Sequence, residues 1–218
     1  MKKSDVDLYS DVFEELDFDP ALDSSLITIN VNHGAATLSG SVPTYWQKIR
    51  AEDDARRVYG VRSVSNYLLV TVPSLFYRDD DDIAAAARSA LSWHSDLPDS
   101  IGITVDEGWL TLFGQVDWDF QRQEAEDAVE YLSGVKGVFN NLTLIQKPKA
   151  ADVQKQIKNE LERTVSEEAQ NIHVDTTNGT VTLTGFVNSW NEDEAARRAS
   201  WSVPGVTAVE DKLVVGTV

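Results

Sequence analysis

Gly34-Ala35-Ala36-Thr37-Leu38-Ser39-Gly40-Ser41-Val42 recurs as Gly108-Trp109-Leu110-Thr111-Leu112-Phe113-Gly114-Gln115-Val116. It recurs again as Gly179-Thr180-Val181-Thr182-Leu183-Thr184-Gly185-Phe186-Val187. The three runs share Gly-x-x-x-Leu-x-Gly-x-Val at successive offsets of 74 and 71 residues. Within each run apolar and polar positions alternate, the period-two pattern of a strand buried on one side. A second alternating run precedes each, starting at Ile29-Asn30-Val31, Ile103-Thr104-Val105 and Val174-Asp175-Thr176. The two runs are separated by Asn32-His33-Gly34, Asp106-Glu107-Gly108 or Thr177-Asn178-Gly179. Alternation broken by Asn or Asp and then Gly is a hairpin signal.

The self-alignment extends outward without a gap over Ile29–Leu68, Ile103–Leu142 and Val174–Leu213. Fixed-offset self-similarity outranks any local pattern as a guide to architecture. After the second strand come helix starts: Thr44-x-x-Gln47 and Ser189-x-x-Glu192 have capping-box form, and Asp117 or Asp119 serves in the middle copy. One apolar face follows in each copy: Ala51, Ala55, Val58; Ala125, Val129, Leu132; Ala196, Ala199, Val203. Gly60, Gly134 and Gly205 are expected to end these helices as C′ residues. A third strand is expected over Val64–Val70 and its counterparts. Upstream of each copy, Leu8, Val12, Leu16, then Ile83, Ala87, Leu91, then Val153, Ile157, Leu161 are spaced for a further helix. The expected fold class is α+β: three tandem αββαβ modules over 1–72, 78–147 and 150–218. In each, two helices cover one face of a three-stranded mixed sheet through a right-handed crossover. The other face is left bare by its own module. The linkers Val72–Arg78 and Gln146–Lys149 are too short and stiff to be free tethers.

The chain has 218 residues, 42% hydrophobic and 25% charged, the composition of a globular protein. It has no cysteine, which excludes disulfides, thiolate nucleophiles and thiolate metal sites. Asp5, Asp7 and Asp11 interrupt any apolar run after Lys2 and Lys3, so no secretory leader is read there. No stretch approaches the roughly 18 apolar residues of a membrane span. The expected location is cytoplasmic, or periplasmic if a leader has been removed. The net charge of -17 repels nucleic acid and anionic headgroups, so no nucleic-acid partner is expected and phospholipid is disfavoured. Positions 73–148 carry 14 acidic and 5 basic residues, against 11 and 7 in each flanking third, so the middle copy is the most acidic.

Order and residues together resemble the BON family, named for bacterial OsmY and nodulation proteins. The resemblance rests on the Gly-x-x-x-Leu-x-Gly-x-Val runs. It rests also on Gly-Val-x-x-Val-x-Asn/Asp-x-Leu at Gly60–Leu68, Gly134–Leu142 and Gly205–Leu213. Within that family the chain is most similar to acidic three-copy members without a signal peptide. The resemblance implies a non-enzymatic binding module associated with phospholipid, envelope integrity or osmotic stress, often described as transport-associated. It implies no catalytic residues and no cofactor.

The residues themselves offer few sites. On the bare face of the second strand, copies one and three place Ala35, Thr37, Ser39 and Thr180, Thr182, Thr184, whereas the middle copy places Trp109, Thr111 and Phe113. Its third strand adds Phe139, Asn141, Thr143 and Ile145 on the same side by alternation. Trp109, Phe113, Phe139 and Ile145 are therefore the candidate interaction surface, since an apolar patch of this kind needs cover. Packing against a neighbouring repeat is the preferred cover, ahead of a protein partner or self-association and of a lipid or small apolar ligand. Tyr45, Trp46, Trp118, Phe120 and Trp190 stand where strand runs into helix and are candidate loop contacts. They do not all share one alignment column, which favours packing at the start of the helix, in the manner of a hydrophobic staple. Asp79-Asp80-Asp81-Asp82 lacks the alternation and glycine of a calcium loop and is read as a helix cap. His33, His94 and His173 lack ligand spacing and are read as incidental; no metal site is expected. Asn66, Asn140 and Asp211 align as polar residues in an apolar strand, suited to hydrogen bonds with neighbouring backbone. The function expected is a non-catalytic multi-module binding or scaffold protein in osmotic or envelope stress. The alternatives are a peripheral phospholipid-binding protein and a small-ion or osmolyte sensor.

Overall fold

The computed structural model describes residues 3–145, 157, 172–177, 179–187 and 189–216. Its first module runs α1 (Asp5–Phe18), β1 (Ile27–Asn32), β2 (Ala35–Val42), α2 (Tyr45–Arg57) and β3 (Ser63–Val70). The second runs α3 (Asp80–Ser92), β4 (Gly102–Asp106), β5 (Trp109–Val116), α4 (Asp119–Glu130) and β6 (Gly137–Leu144). The third shows β7 (His173–Thr177), β8 (Thr180–Val187), α5 (Trp190–Trp201) and β9 (Ala208–Val215). Among the described residues these make three separate three-stranded sheets, each with its second strand in the centre. β1 runs antiparallel to β2, with Ile29 opposite Leu38, and β3 runs parallel to β2, with Leu38 opposite Asn66. β7, β8 and β9 repeat this arrangement. The helix predicted from Val153, Ile157 and Leu161 lies outside the described residues except for Ile157, which is helical and buried in the third core.

Alternation decides which side of each sheet is dry. In the first module Leu8, Val12 and Leu16 of α1 meet Ile29, Ala36 and Leu38 of the sheet and Ala51 and Ala55 of α2. Leu110, Leu112, Ala125 and Val129 are the counterparts in the second module. Each fully buried leucine contributes about 1.5–3 kcal/mol over its exposed state. Two compact units result, one of Met1–Val116 with Gln121–Thr143, the other of Asp117–Phe120 with Leu144–Val218.

The invariant glycines answer to backbone geometry. Gly114 lies within β5 at φ +129, and a Cβ there would lie 2.9 Å from the carbonyl oxygen of Ser100, in the turn just ahead of β4. A side chain is excluded by both the dihedral and the approach. Gly60, Gly134 and Gly205 do not cap their helices, as the sequence reading had them. α2 ends at Arg57 with Val58 as its C-cap, and the glycine comes two residues later. It occupies the third position of a β-turn closed by Val61 N–H to Val58 O, repeated at Val135–Leu132 and Val206–Val203. That position, rather than a helix end, demands the positive φ.

The hairpin turns are held from outside the sheet. Asp5, in the first turn of α1, accepts His33 N–H at 2.8 Å and Gly34 N–H at 2.9 Å on its two oxygens. Asp80, in the first turn of α3, accepts Glu107 N–H and Gly108 N–H, both at 2.9 Å. Its neighbour Asp79 caps α3 by accepting Asp82 N–H at 2.8 Å. The tetra-aspartate run is thus divided between a cap and a clamp. Replacing Asp80 by Ala leaves the exposed Glu107 N–H and the part-buried Gly108 N–H without their acceptor, at a cost of about 1–2 kcal/mol. A urea unfolding series on Asp80→Ala should show that loss, with Asp80→Asn, which keeps one acceptor, recovering part of it. An unchanged midpoint in both variants refutes the clamp.

Candidate interaction surface of the middle module

β5 turns Leu110 and Leu112 into the core, so Trp109, Thr111 and Phe113 face outward. Trp109 stacks on Phe139 of β6 with ring centroids 5.3 Å apart and planes 20° apart. Offset stacking of this kind adds about 0.5–1.5 kcal/mol beyond burial. The rings lie over glycines: a Cβ on Gly137 would fall 2.3 Å from the Trp109 ring, and one on Gly102 would fall 2.3 Å from the Phe113 ring. At the matching positions module one has Ser63 and Thr28, and module three has Ala208 and His173. Glycine and aromatic occur together only in the middle copy, and this pairing was the signal that alternation alone did not use. Within their own module the cover on these rings is partial. Trp109 stays 43% exposed, Phe113 45% and Phe139 52%.

Ile145 falls in the second unit, where it lines a shallow hollow with Trp118, Leu144, Trp201, Val203 and Val206. It is not part of the stacked set. The turn aromatics were read as local staples, and for the first module that reading fails. Tyr45 and Trp46 reach the second module, where Trp46 packs on Tyr131 of the segment after α4, centroids 5.6 Å apart. The Tyr45 hydroxyl takes a hydrogen bond from the backbone of Val138. Burial, with the carboxylates of Glu126 and Glu130 nearby, pushes its pKa up to about 12. A hydroxyl held at a module junction this way stays neutral at any physiological pH. Trp118 and Trp190 are half-buried, and Phe120 is exposed.

The BON domain profile matches residues 4–72, 79–146 and 149–217. The chain belongs to the BON domain family. Osmotically-inducible protein Y of Escherichia coli (strain K12) is 28% identical over 149 residues, which span 63% of this chain and 73% of that protein. Two solved structures of CdsD, a structural protein of the type III secretion system of Chlamydia trachomatis, align over 98% and 96% of this chain and 99% and 92% of theirs. One is described as its C-terminal domain. Their identities are 20% and 19% and their TM-scores 0.27 and 0.26, too low to carry an argument here. No helix among the described residues is long and apolar enough to cross a membrane.

The three BON modules also differ in one polar contact. Asn66 donates to Lys48 O at 2.8 Å and to Glu52 at 3.2 Å, and its own oxygen accepts Leu68 N–H. Asn140 repeats this with Arg122 O, Glu126 and Leu142 N–H. The asparagine ties the third strand to the helix above it. The third BON module has Asp211 instead, which keeps the Leu213 N–H bond but has no amide to donate. It is hydrogen-bonded to Asp193, a buried side chain in the first turn of α5. Desolvation, then the charge and hydrogen bond of Asp211, push Asp193 up to about 7.

In the first module Asp54 stands where the others have Ala128 and Ala199. It is fully buried, paired with Arg57 and 3.6 Å from Arg50, and desolvation raises it to about 6. His94 Nδ1 lies 2.9 Å from Glu124, a carboxylate neighbour that the sequence did not disclose. No group of three or more His, Asp or Glu side chains among the described residues is placed to hold a metal.

Asp193 sets a pH dependence. Its folded pKa of about 7 exceeds the ordinary carboxyl value of 3.8, so the folded state holds its proton after the unfolded state has lost it. Stability from this group is therefore full at about pH 4 and declines until about pH 7. Asp54 acts with the same sign and ends near 6. Asp211→Asn should lessen the fall in Tm between those limits, and Asp193→Asn should remove the Asp193 share of it. Slopes equal to the parent's in both variants refute this account.

Proposed function

We propose that this chain is a non-catalytic, multi-module scaffold that binds a protein partner through the outer sheet face of its middle BON module. The observation that carries the reading is the stacked Trp109–Phe139 pair with Phe113 beside it. These are large aromatic rings on the sheet face opposite the two helices of their own module. Rigid aromatics contribute contact area at small entropic cost and are the side chains that dominate interface energetics. The excess acidity of the middle third favours a partner with an apolar centre and a basic rim. The relative's description as osmotically inducible supports a role in osmotic stress, and a part in envelope stress and residence in the cytoplasm belong to the same proposal.

Phospholipid remains the second class of ligand in this family reading, and the charge of -17 weighs against it at anionic surfaces. Two measurements separate the readings. Immobilised parent chain and a Trp109→Ser/Phe113→Ser variant are exposed to extracts of osmotically stressed cells, and the proteins retained by the parent are identified. Their purified forms should bind the variant about 30-fold more weakly, the loss expected from removing a central aromatic anchor. Equal binding by both refutes the aromatic face as the site. Co-sedimentation of the parent with zwitterionic or anionic vesicles, lost in the variant, replaces the protein partner with lipid.

A further inference from the structure

Modules one and two close the corner between their first helix and first strand differently. Arg88 of α3 stands where α1 has Phe13, and Ala87 where α1 has Val12. The turn after the helix opens alike in both, with Leu22 N–H on Asp19 O and Leu97 N–H on His94 O. It then reaches the sheet one residue sooner in module two, where Leu97 to Ile101 replaces Leu22 to Ile27. Module one buries Ile27 and Ile29 at 7% and 9% exposure. Their counterparts Ile101 and Ile103 are left half-buried. Module two thereby keeps a hollow of about 280 Å³, with Leu91, Leu97, Ile101 and Ile103 in its lining.

The replacements that open this corner also bring charge to it. Arg88 and Asp99 both line the hollow, at positions where module one has Phe13 and Ser24-Ser25. Both are exposed, and among the described residues neither side chain is ion-paired or hydrogen-bonded, to the other or elsewhere. His94, also in the lining, is tied to Glu124 of α4 at 2.9 Å. That tie reverses the Asp19–Arg50 pair of module one and holds the loop that carries Asp99. An unpaired guanidinium, an unpaired carboxylate and an aliphatic lining complement a molecule with a carboxylate, an ammonium and a hydrocarbon portion. The field of the chain selects in the same direction. With 14 acidic against 5 basic residues over 73–148, this module repels a free anion, whereas a zwitterion has no net charge to repel. Volume limits the size. At roughly 30 Å³, the liquid volume of one water, about 280 Å³ has room for about nine non-hydrogen atoms.

We propose that this hollow binds a small aliphatic zwitterion of the free amino-acid class, its carboxylate on Arg88, its ammonium on Asp99 and its hydrocarbon against Leu91 and Ile103. Ile103 lies opposite Leu112, on the helix side of the sheet, whereas Trp109 and Phe113 face the other way. The site therefore stands independently of the scaffold reading above. Two charge-assisted contacts on so small a ligand give a dissociation constant on the order of 0.1–1 mM.

Titration of the isotope-labelled full chain with leucine and with ε-aminocaproate, followed by amide chemical shifts, tests this. At least one of the two should bind, with its largest shifts over residues 88–103. Arg88→Gln and Asp99→Asn, both at exposed positions, should each weaken binding about tenfold or more, with melting curves near the parent's. Isocaproate and isoamylamine, each with one of the two charges, should bind at least about tenfold more weakly than the zwitterion. The Trp109→Ser/Phe113→Ser variant should bind as the parent does. No saturable shift from either zwitterion up to about 20 mM overturns the proposal. So do shifts centred outside that segment, or affinity unchanged in Arg88→Gln and Asp99→Asn. Isocaproate binding as tightly as the zwitterion makes the hollow a site for simple anions and overturns it as well.

Discussion

A single carboxylate, placed in the first turn of a module's first helix, fixes the geometry of everything that follows it. Asp5 and Asp80 each accept two successive backbone N–H groups from a hairpin turn whose first residue, His33 or Glu107, sits at positive φ. Such a conformation costs a non-glycine residue free energy, and it persists where surrounding contacts over-determine it. The clamp provides that constraint and sets the hairpin's turn, which in turn sets the register of the two strands. With a side-chain period of two, a slip of one residue would carry Leu110 and Leu112 to solvent and bring Trp109 and Phe113 to the core. The same two bonds also dock the helix on the sheet, so secondary structure and packing are determined together.

This explains why so much of the fold was legible in the sequence. The glycine columns mark positions where the backbone admits no side chain, at Gly114 by its φ and the Ser100 carbonyl. Such constraints act locally and recur identically in each copy. The aligned asparagines were legible for a related reason, because Asn66 and Asn140 bond to backbone that every copy has. The helix ends were misread because a glycine after a helix has two uses, as a C′ residue or in a β-turn. Only the Val58–Val61 hydrogen bond tells them apart.

The surfaces were less legible, since they depend on what lies opposite. Tyr45 aligns with Trp190 and Trp46 with Phe120, but Trp118 stands opposite Thr44 and Ser189, and the lack of one common column argued for local packing. A contact made to a different neighbour each time has no reason to keep its column. Trp46 is matched to Tyr131, and the corresponding position in module three is Ser202. The glycines beneath Trp109 and Phe113 were visible in the sequence, but their meaning required knowing that Gly137 and Gly102 are cross-strand neighbours of those rings. His94 and Glu124 are 30 residues apart, and only the fold brings them to 2.9 Å.

Tandem copies of one module face a problem that a single domain does not: every turn resembles every other, and so does every acceptor. If apolar contact alone decided docking, wrong pairings would compete with right ones. The side chains around each contact break that degeneracy. An acidic α5 start placed on the α4 end would face Glu126 and Glu130 with Glu192 and Glu194, and like charges at a desolvated contact cost several kcal/mol. The α2 start, with no acid in its first turn, meets no such penalty there. Buried acids differ between modules as well: Asp54 occurs only in the first, and the Asp193–Asp211 pair only in the third. Replacing one module by another would therefore carry an unmatched charge into a junction or a core. The fold is repeated, but the electrostatics assign each copy its place in the order.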